Sequence, residues 1–179
     1  MRRRTHVQPG ARQQGWSLPR PWRRVWLVCH IVAAGAWIGI DVIVAVLVLV
    51  GWFADDLGQR SLAYRALAQF TVAPMLAAGL TCLLSGVLLG LGTKWGLLRY
   101  WWVAVKLGLN VVLCTVMVTV LAPGMPDLDR YGAGLLTGAT PDLRIASMFF
   151  PPAVSLTALT FAVILAVAKP WGLTRGGDK

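Results

Sequence analysis

The stretch HIVAAGAWIGID, residues 30 to 41, places a histidine and an aspartate inside a long apolar run. With Lys106, these are the ionisable side chains that fall clearly within apolar segments. An Asp or Lys at mid-span costs roughly 2.5–3.5 kcal/mol to insert, and each Leu, Ile or Val returns about 0.3–0.6. Residues kept at that cost are functional candidates. His30 offers a neutral imidazole nitrogen, Lys106 an amine, and Asp41 a carboxyl that is either protonated or bonded to hydroxyls.

Spacing divides them into two layers. His30 and Asp41 lie eleven residues apart, close to three helical turns, so they share a face with Ala34 and Trp37 between them. Their axial separation of about 16 Å excludes a direct hydrogen bond. His30 lies about 6 Å in from Trp26, and Lys106 about 7 Å in from Trp101, with Gly90 near the same level. This defines an inner candidate site of His30, Lys106, Trp37 and Gly90. Asp41 lies about 22 Å in. Thr81, Thr115, and Ser155 or Thr157 reach similar depths from their own ends, which predicts a polar layer across four helices. Plainer roles compete with these. Lys106 can snorkel to the headgroups, His30 can donate to a backbone carbonyl, and Asp41 can be a structural acceptor. Asn110, one turn beyond Lys106, reads as interhelical glue.

The elements that must position these residues are long apolar helices. Charged residues make up 13% of the chain, about half the share of an ordinary soluble domain. A bilayer span takes about 20 apolar residues, and four segments meet that length: about 26–53, 62–91, 101–121 and 147–168. Asp55, Asp56 and Gly58 separate the first two, and Pro74 predicts a kink in the second. A short basic turn covers 92–100, and a Gly/Pro-rich loop of about 25 residues follows span three. Pro151 and Pro152 suit the first turn of span four, where amide donors are unpaired anyway. The domain plan is a basic tail over 1–24, a four-span bundle over 25–169 and a short tail over 170–179. The fold class is all-α, a polytopic membrane four-helix bundle.

Charge sets the orientation. With both termini inside, the inner segments hold twelve Lys and Arg and the outer loops four, which predicts N-in and C-in by the positive-inside rule. Trp22, Trp26, Trp95, Trp101, Trp102 and Trp171 gather at the inner boundary and Trp52 marks the outer one, as an aromatic belt does. Seven arginines in the first 24 residues suit anionic lipid headgroups beside a span rather than nucleic acid. The apolar run after them is too long for a cleavable signal peptide. Gly35 with Gly39, and Gly86 with Gly90, form two G-x-x-x-G pairs. They predict close packing of spans one and two, or else clear space for a flat cofactor or substrate.

Several chemistries are excluded. The chain has no glutamate and two histidines, one of them, His6, in the tail, so one chain cannot build a three-histidine metal site. Cys29, Cys82 and Cys114 lie within apolar runs without C-x-x-C spacing and read as small buried hydrophobes. No nucleophile–base pair, phosphate-binding glycine loop or internal repeat stands out.

The segments LVCHIVAAGAWIGID and LLSGVLLGLGTKWGLLRYWWVAVKLGLN resemble a family of uncharacterised actinobacterial four-span membrane proteins. His30, Trp37, Gly39, Gly86, Gly92, Trp95, Gly96, Arg99, Trp102, Lys106 and Leu107 carry the likeness, which covers roughly residues 25–121. More remotely, the H-x6-W-x-G of span one and the lysine of span three resemble bacterial membrane-type protoporphyrinogen oxidase and copper-resistance D-type proteins. In that oxidase family a first-span histidine and a third-span lysine are essential and haem b is bound. The resemblance implies these roles for His30 and Lys106, with His30 as a metal ligand. The further histidines of a copper carrier are missing here.

The expected protein is a multi-pass protein of the bacterial cytoplasmic membrane that binds haem, a porphyrin or another small molecule near the cytoplasmic side. The alternative is a non-catalytic subunit or scaffold packed against a membrane partner or another copy of itself. Transport along Asp41 is a third reading; four spans are few for it and no inverted repeat is visible.

Overall fold

The computed structural model describes residues 19–92, 97 and 100–168. These fold as six α-helices: α1 (Arg20–Phe53), α2 (Leu57–Phe70), α3 (Val72–Leu91), α4 (Trp101–Val116), α5 (Ala122–Thr137) and α6 (Phe150–Ala168). A π-helical turn, Met117–Leu121, joins α4 to α5 without a break, and a 3₁₀ turn, Ile145–Phe149, leads into α6. Four helical stretches are long and apolar enough to cross a membrane: Arg20–Phe53, Val72–Leu91, Trp101–Thr137 and Ile145–Ala168. The chain is therefore an all-α, multi-pass membrane protein. The two basic tails, Lys94 and Arg99 lie outside the described residues, except that Arg20, Arg23 and Arg24 belong to the first turns of α1.

The spans form a ring in which α1 packs on α3 and α6, and α4 packs on the same two helices. One stripe of α1 faces inward: Ala33, Trp37, Asp41, Val44, Val48 and Gly51 are buried at helical spacing. Its opposite face is apolar and exposed, with Ile31, Val32 and Ile43 each at least 60% open, which in a spanning helix is the lipid face.

Three expectations need correction. The segment 62–91 is not one span. Asp56 caps a separate α2, accepting from the Gln59 amide at 2.8 Å, and Pro74 sits in the first turn of α3, where its missing donor is not needed. The residues after span three are not a loop either. The helix runs on to Thr137, about 55 Å from Trp101, well past a hydrocarbon core about 30 Å thick. Pro123 cannot donate to the carbonyl four residues back, and the chain absorbs this by widening one turn. The Ala122 amide bonds the Met117 carbonyl, five residues back. Beyond that turn α5 packs along α2. Gly132 makes this close: a Cβ there would lie 2.8 Å from Arg65 Cγ. Tyr64 and Tyr131 meet edge to face at 5.5 Å, and Asp129 accepts from Gln69 at 3.2 Å and faces Arg65 at 3.5 Å. Burial raises the Tyr64 phenol above its usual range.

Third, the two glycine pairs differ. In α3, a Cβ on Gly86 would stand 3.1 Å from the His30 ring, so this glycine seats α1. In α1, Gly35 and Gly39 face open space and do not pack span one on span two.

Candidate functional site

His30 is brought to α3, one turn deeper than Gly90. Its Nδ1 lies 3.0 Å from the Cys82 carbonyl oxygen and 3.0 Å from Ser85 Oγ. The Ser85 hydroxyl proton is taken by the Thr81 carbonyl at 2.6 Å. Both groups at Nδ1 are therefore acceptors, and Nδ1 must carry the ring hydrogen. That leaves the lone pair on Nε2. Among the described residues, the group nearest to a partner for Nε2 is the weakly donating Cys82 thiol, 3.9 Å away. The imidazole is half-buried rather than sealed.

Lys106, on α4, stands within electrostatic reach of both His30 and Cys82. Its Nζ lies 4.6 Å from the centre of the Trp102 ring, one turn back on the same helix, a cation–π contact. Asn110, one turn further, accepts from the Cys114 thiol at 3.5 Å and lies beside Cys82. The four sequence candidates therefore do not form one group. Lys106 stands within electrostatic reach of His30, while Trp37 and Gly90 make other contacts. Trp37 is fully buried two turns deeper, where its six-membered ring fills the hollow at Gly79 and touches the Cys114 layer. The hollow at Gly90 is filled by Leu97, whose Cδ2 would meet an added Cβ at 2.6 Å. Gly86 is the glycine that serves His30.

No family model, curated protein or solved structure matches this chain. The site must be read from its own geometry.

Asp41 forms the second layer. It is fully buried, and Ser155 on α6 donates to its Oδ2 at 2.6 Å. The predicted four-helix hydroxyl layer does not assemble. Thr81, Thr115 and Thr157 each spend their hydroxyl on the carbonyl four residues back and stand exposed. Back-bonding of this kind is the local option open to Ser and Thr in a helix. Ser155 alone reaches inward, because its position on α6 faces α1.

His30 Nε2 is a neutral imidazole nitrogen whose tautomer is fixed from behind, the atom of this layer that could hold a metal-bearing group. The flat gap expected beside Gly90 is not where a ring would lie, since Leu97 occupies it. Among the described residues no group of three or more His, Cys, Asp or Glu is placed to hold a bare metal ion. Cys82 and Ser85 are the partners that sequence reasoning missed. Their signal was small polar residues three apart on the inward face of span two.

Proposed function

We propose that this multi-pass protein of the bacterial cytoplasmic membrane, with both termini inside, binds a small molecule through His30 Nε2 near the cytoplasmic face. What carries the reading is the pair of acceptors at Nδ1, which commits the ring hydrogen and leaves Nε2 as a spare neutral donor atom. Anchoring one imidazole nitrogen to a backbone carbonyl is how proteins orient a ligating histidine. Haem b or another porphyrin is the ligand class this suits first. His30 would hold the iron on one side, Lys106 would face a propionate, and the group would supply one-electron chemistry when bound. The remote resemblance to membrane-type protoporphyrinogen oxidase supports the same pair of residues. The basic N-terminal tail would bind anionic headgroups.

The test is an absorbance spectrum with a pyridine haemochrome assay on protein purified in mild detergent from haem-replete cells. His30→Ala and His30→Asn are run beside the parent. Asparagine can still donate to the Cys82 carbonyl but has no Nε2. A near-stoichiometric Soret band, absent from both variants while His30→Asn stays folded, is the expected result. A clean spectrum from folded parent protein sinks the haem form. Mass spectrometry of released ligand, with nothing bound in a His30-dependent way, sinks the small-molecule reading altogether.

A second reading is favoured by a separate observation. Gly35 and Gly39 present an open backbone face to the outside of the bundle, the surface a membrane partner or second copy would use. On that reading the chain is a non-catalytic subunit or scaffold, and a stoichiometric partner should co-purify without any cofactor.

A further inference from the structure

The Asp41 layer plays no part in the reading above, and it holds two unmet demands. Asp41 Oδ1 and Trp37 Nε1 are both buried with no hydrogen-bond partner among the described residues, and both side chains are fully enclosed. They lie four residues apart on one face of α1, which puts their Cβ atoms about 5–6 Å apart. The other polar side chains considered for this layer are already committed. Ser155 donates to Asp41 Oδ2, and the thiol of Cys114 donates to Asn110. Thr81, Thr115 and Thr157 bond their own helices.

The two orphans are complementary. An indole nitrogen can only donate, and the carboxyl oxygen left over by Ser155 is able to accept. A cation placed between them would meet the indole hydrogen, and an anion would meet the carboxyl. An apolar occupant would leave both unsatisfied, a costly state in a low-dielectric interior. A group that accepts on one side and donates on the other satisfies both at once, and at this scale that group is water. Ordered waters of this kind meet otherwise unsatisfied buried polar groups.

We infer that Trp37 and Asp41 hold one buried water molecule, which accepts from Trp37 Nε1–H and donates to Asp41 Oδ1. With Ser155 on the other carboxyl oxygen, the hydrogen-bonded chain runs Trp37, water, Asp41, Ser155 and ties α1 to α6 in the middle of the bundle. Asp41 is then a hydrated junction rather than a bare strut.

The full chain, ¹⁵N-labelled at tryptophan in deuterated detergent, gives the test. Trp37→Phe identifies the Trp37 indole signal, and water-selective NOE and ROE spectra are recorded on it. A long-lived water gives a cross-peak at the water frequency, with opposite signs in the two experiments, whereas simple hydrogen exchange gives the same sign in both. The peak should survive Ser155→Ala, which rules out relay through that hydroxyl, and should vanish in Asp41→Leu, which removes the acceptor and fills its volume. No water cross-peak in the folded parent overturns the inference, and so does a peak unchanged in Asp41→Leu. Should Asp41→Leu fail to fold, the parent and Ser155→Ala spectra decide between the two outcomes.

Discussion

His30 and Asp41 share one face of α1, yet their layers are built to opposite standards. At His30 two acceptors compete for one ring hydrogen, so the loss of either leaves the other. At Asp41 one serine serves a carboxyl with two oxygens, and the neighbouring indole has no partner among the described residues. The first layer is over-supplied with protein partners at Nδ1 and leaves Nε2 spare. The second is under-supplied and depends on a single side chain from another helix. Redundancy holds a ring in a fixed orientation, which a binding residue needs. Scarcity makes a contact sensitive to whatever completes it.

Five substitutions press on this contrast, taken from the largest effect to the smallest. Gly79→Ala attacks the floor beneath the second layer. Its Cβ would stand 2.8 Å from Trp37 and 2.9 Å from Cys114 Sγ, so the enclosed indole has to move. A loss of about 3 kcal/mol is expected, read as a lower unfolding midpoint by tryptophan fluorescence in detergent.

The two serines then give a matched pair. Ser155→Ala strips Asp41 of its protein donor and should cost about 2 kcal/mol, the scale for leaving a buried polar group unmet. Ser85→Ala also removes a buried hydroxyl, but the Cys82 carbonyl still accepts from His30. About 1 kcal/mol or less is expected there. Equal losses for the two serines, measured side by side by thermal unfolding, would refute the contrast between the layers.

Last, Gly35→Ala and Gly39→Ala touch nothing within 4 Å. Each should stabilise the isolated bundle slightly, by under about 1 kcal/mol, since alanine is the better helix former. If that face meets a partner or a second copy, the same changes should instead reduce association, which chemical cross-linking in native membranes would reveal.

The four spans were legible because a bilayer imposes one length and one polarity on any helix that crosses it. Depth can likewise be counted from a boundary tryptophan at a fixed rise, and that count put Lys106 at the level of His30. Rotation about the axis cannot be counted in that way. Gly35 and Gly39 have the spacing of a packing motif, but the inward stripe of α1 passes through Ala33 and Trp37, and the pair falls outside it. Trp37 sat between His30 and Asp41 in the count and turned out to belong to the Asp41 layer. The hydroxyl layer failed for a local reason. Threonine in a helix has its own backbone as a competitor, and three of the four candidates took it. The α2 and α5 helices were hidden by their composition. Prolines and aspartates at 123–129 read as loop residues, and only the long-range packing of α5 on α2 makes them helical.

The widened turn at Met117–Leu121 has a bearing on how this chain tolerates change in length. A π turn carries one residue more than the α-helical path, and each helical residue advances the face by about 100°. The turn therefore acts as a phase adjuster between two helical segments with different neighbours. Upstream, α4 is set by α3 and α6; downstream, α5 is set by α2. Removing a single residue from 117–121 would turn the wide turn back into an α turn and keep Leu128 and Gly132 facing α2, at the cost of setting Pro123 against the carbonyl four residues back. A one-residue insertion elsewhere in α4 would have no such slack to draw on. Length variation in this span is thus confined to one turn, and the seating of the outer helix pair depends on it.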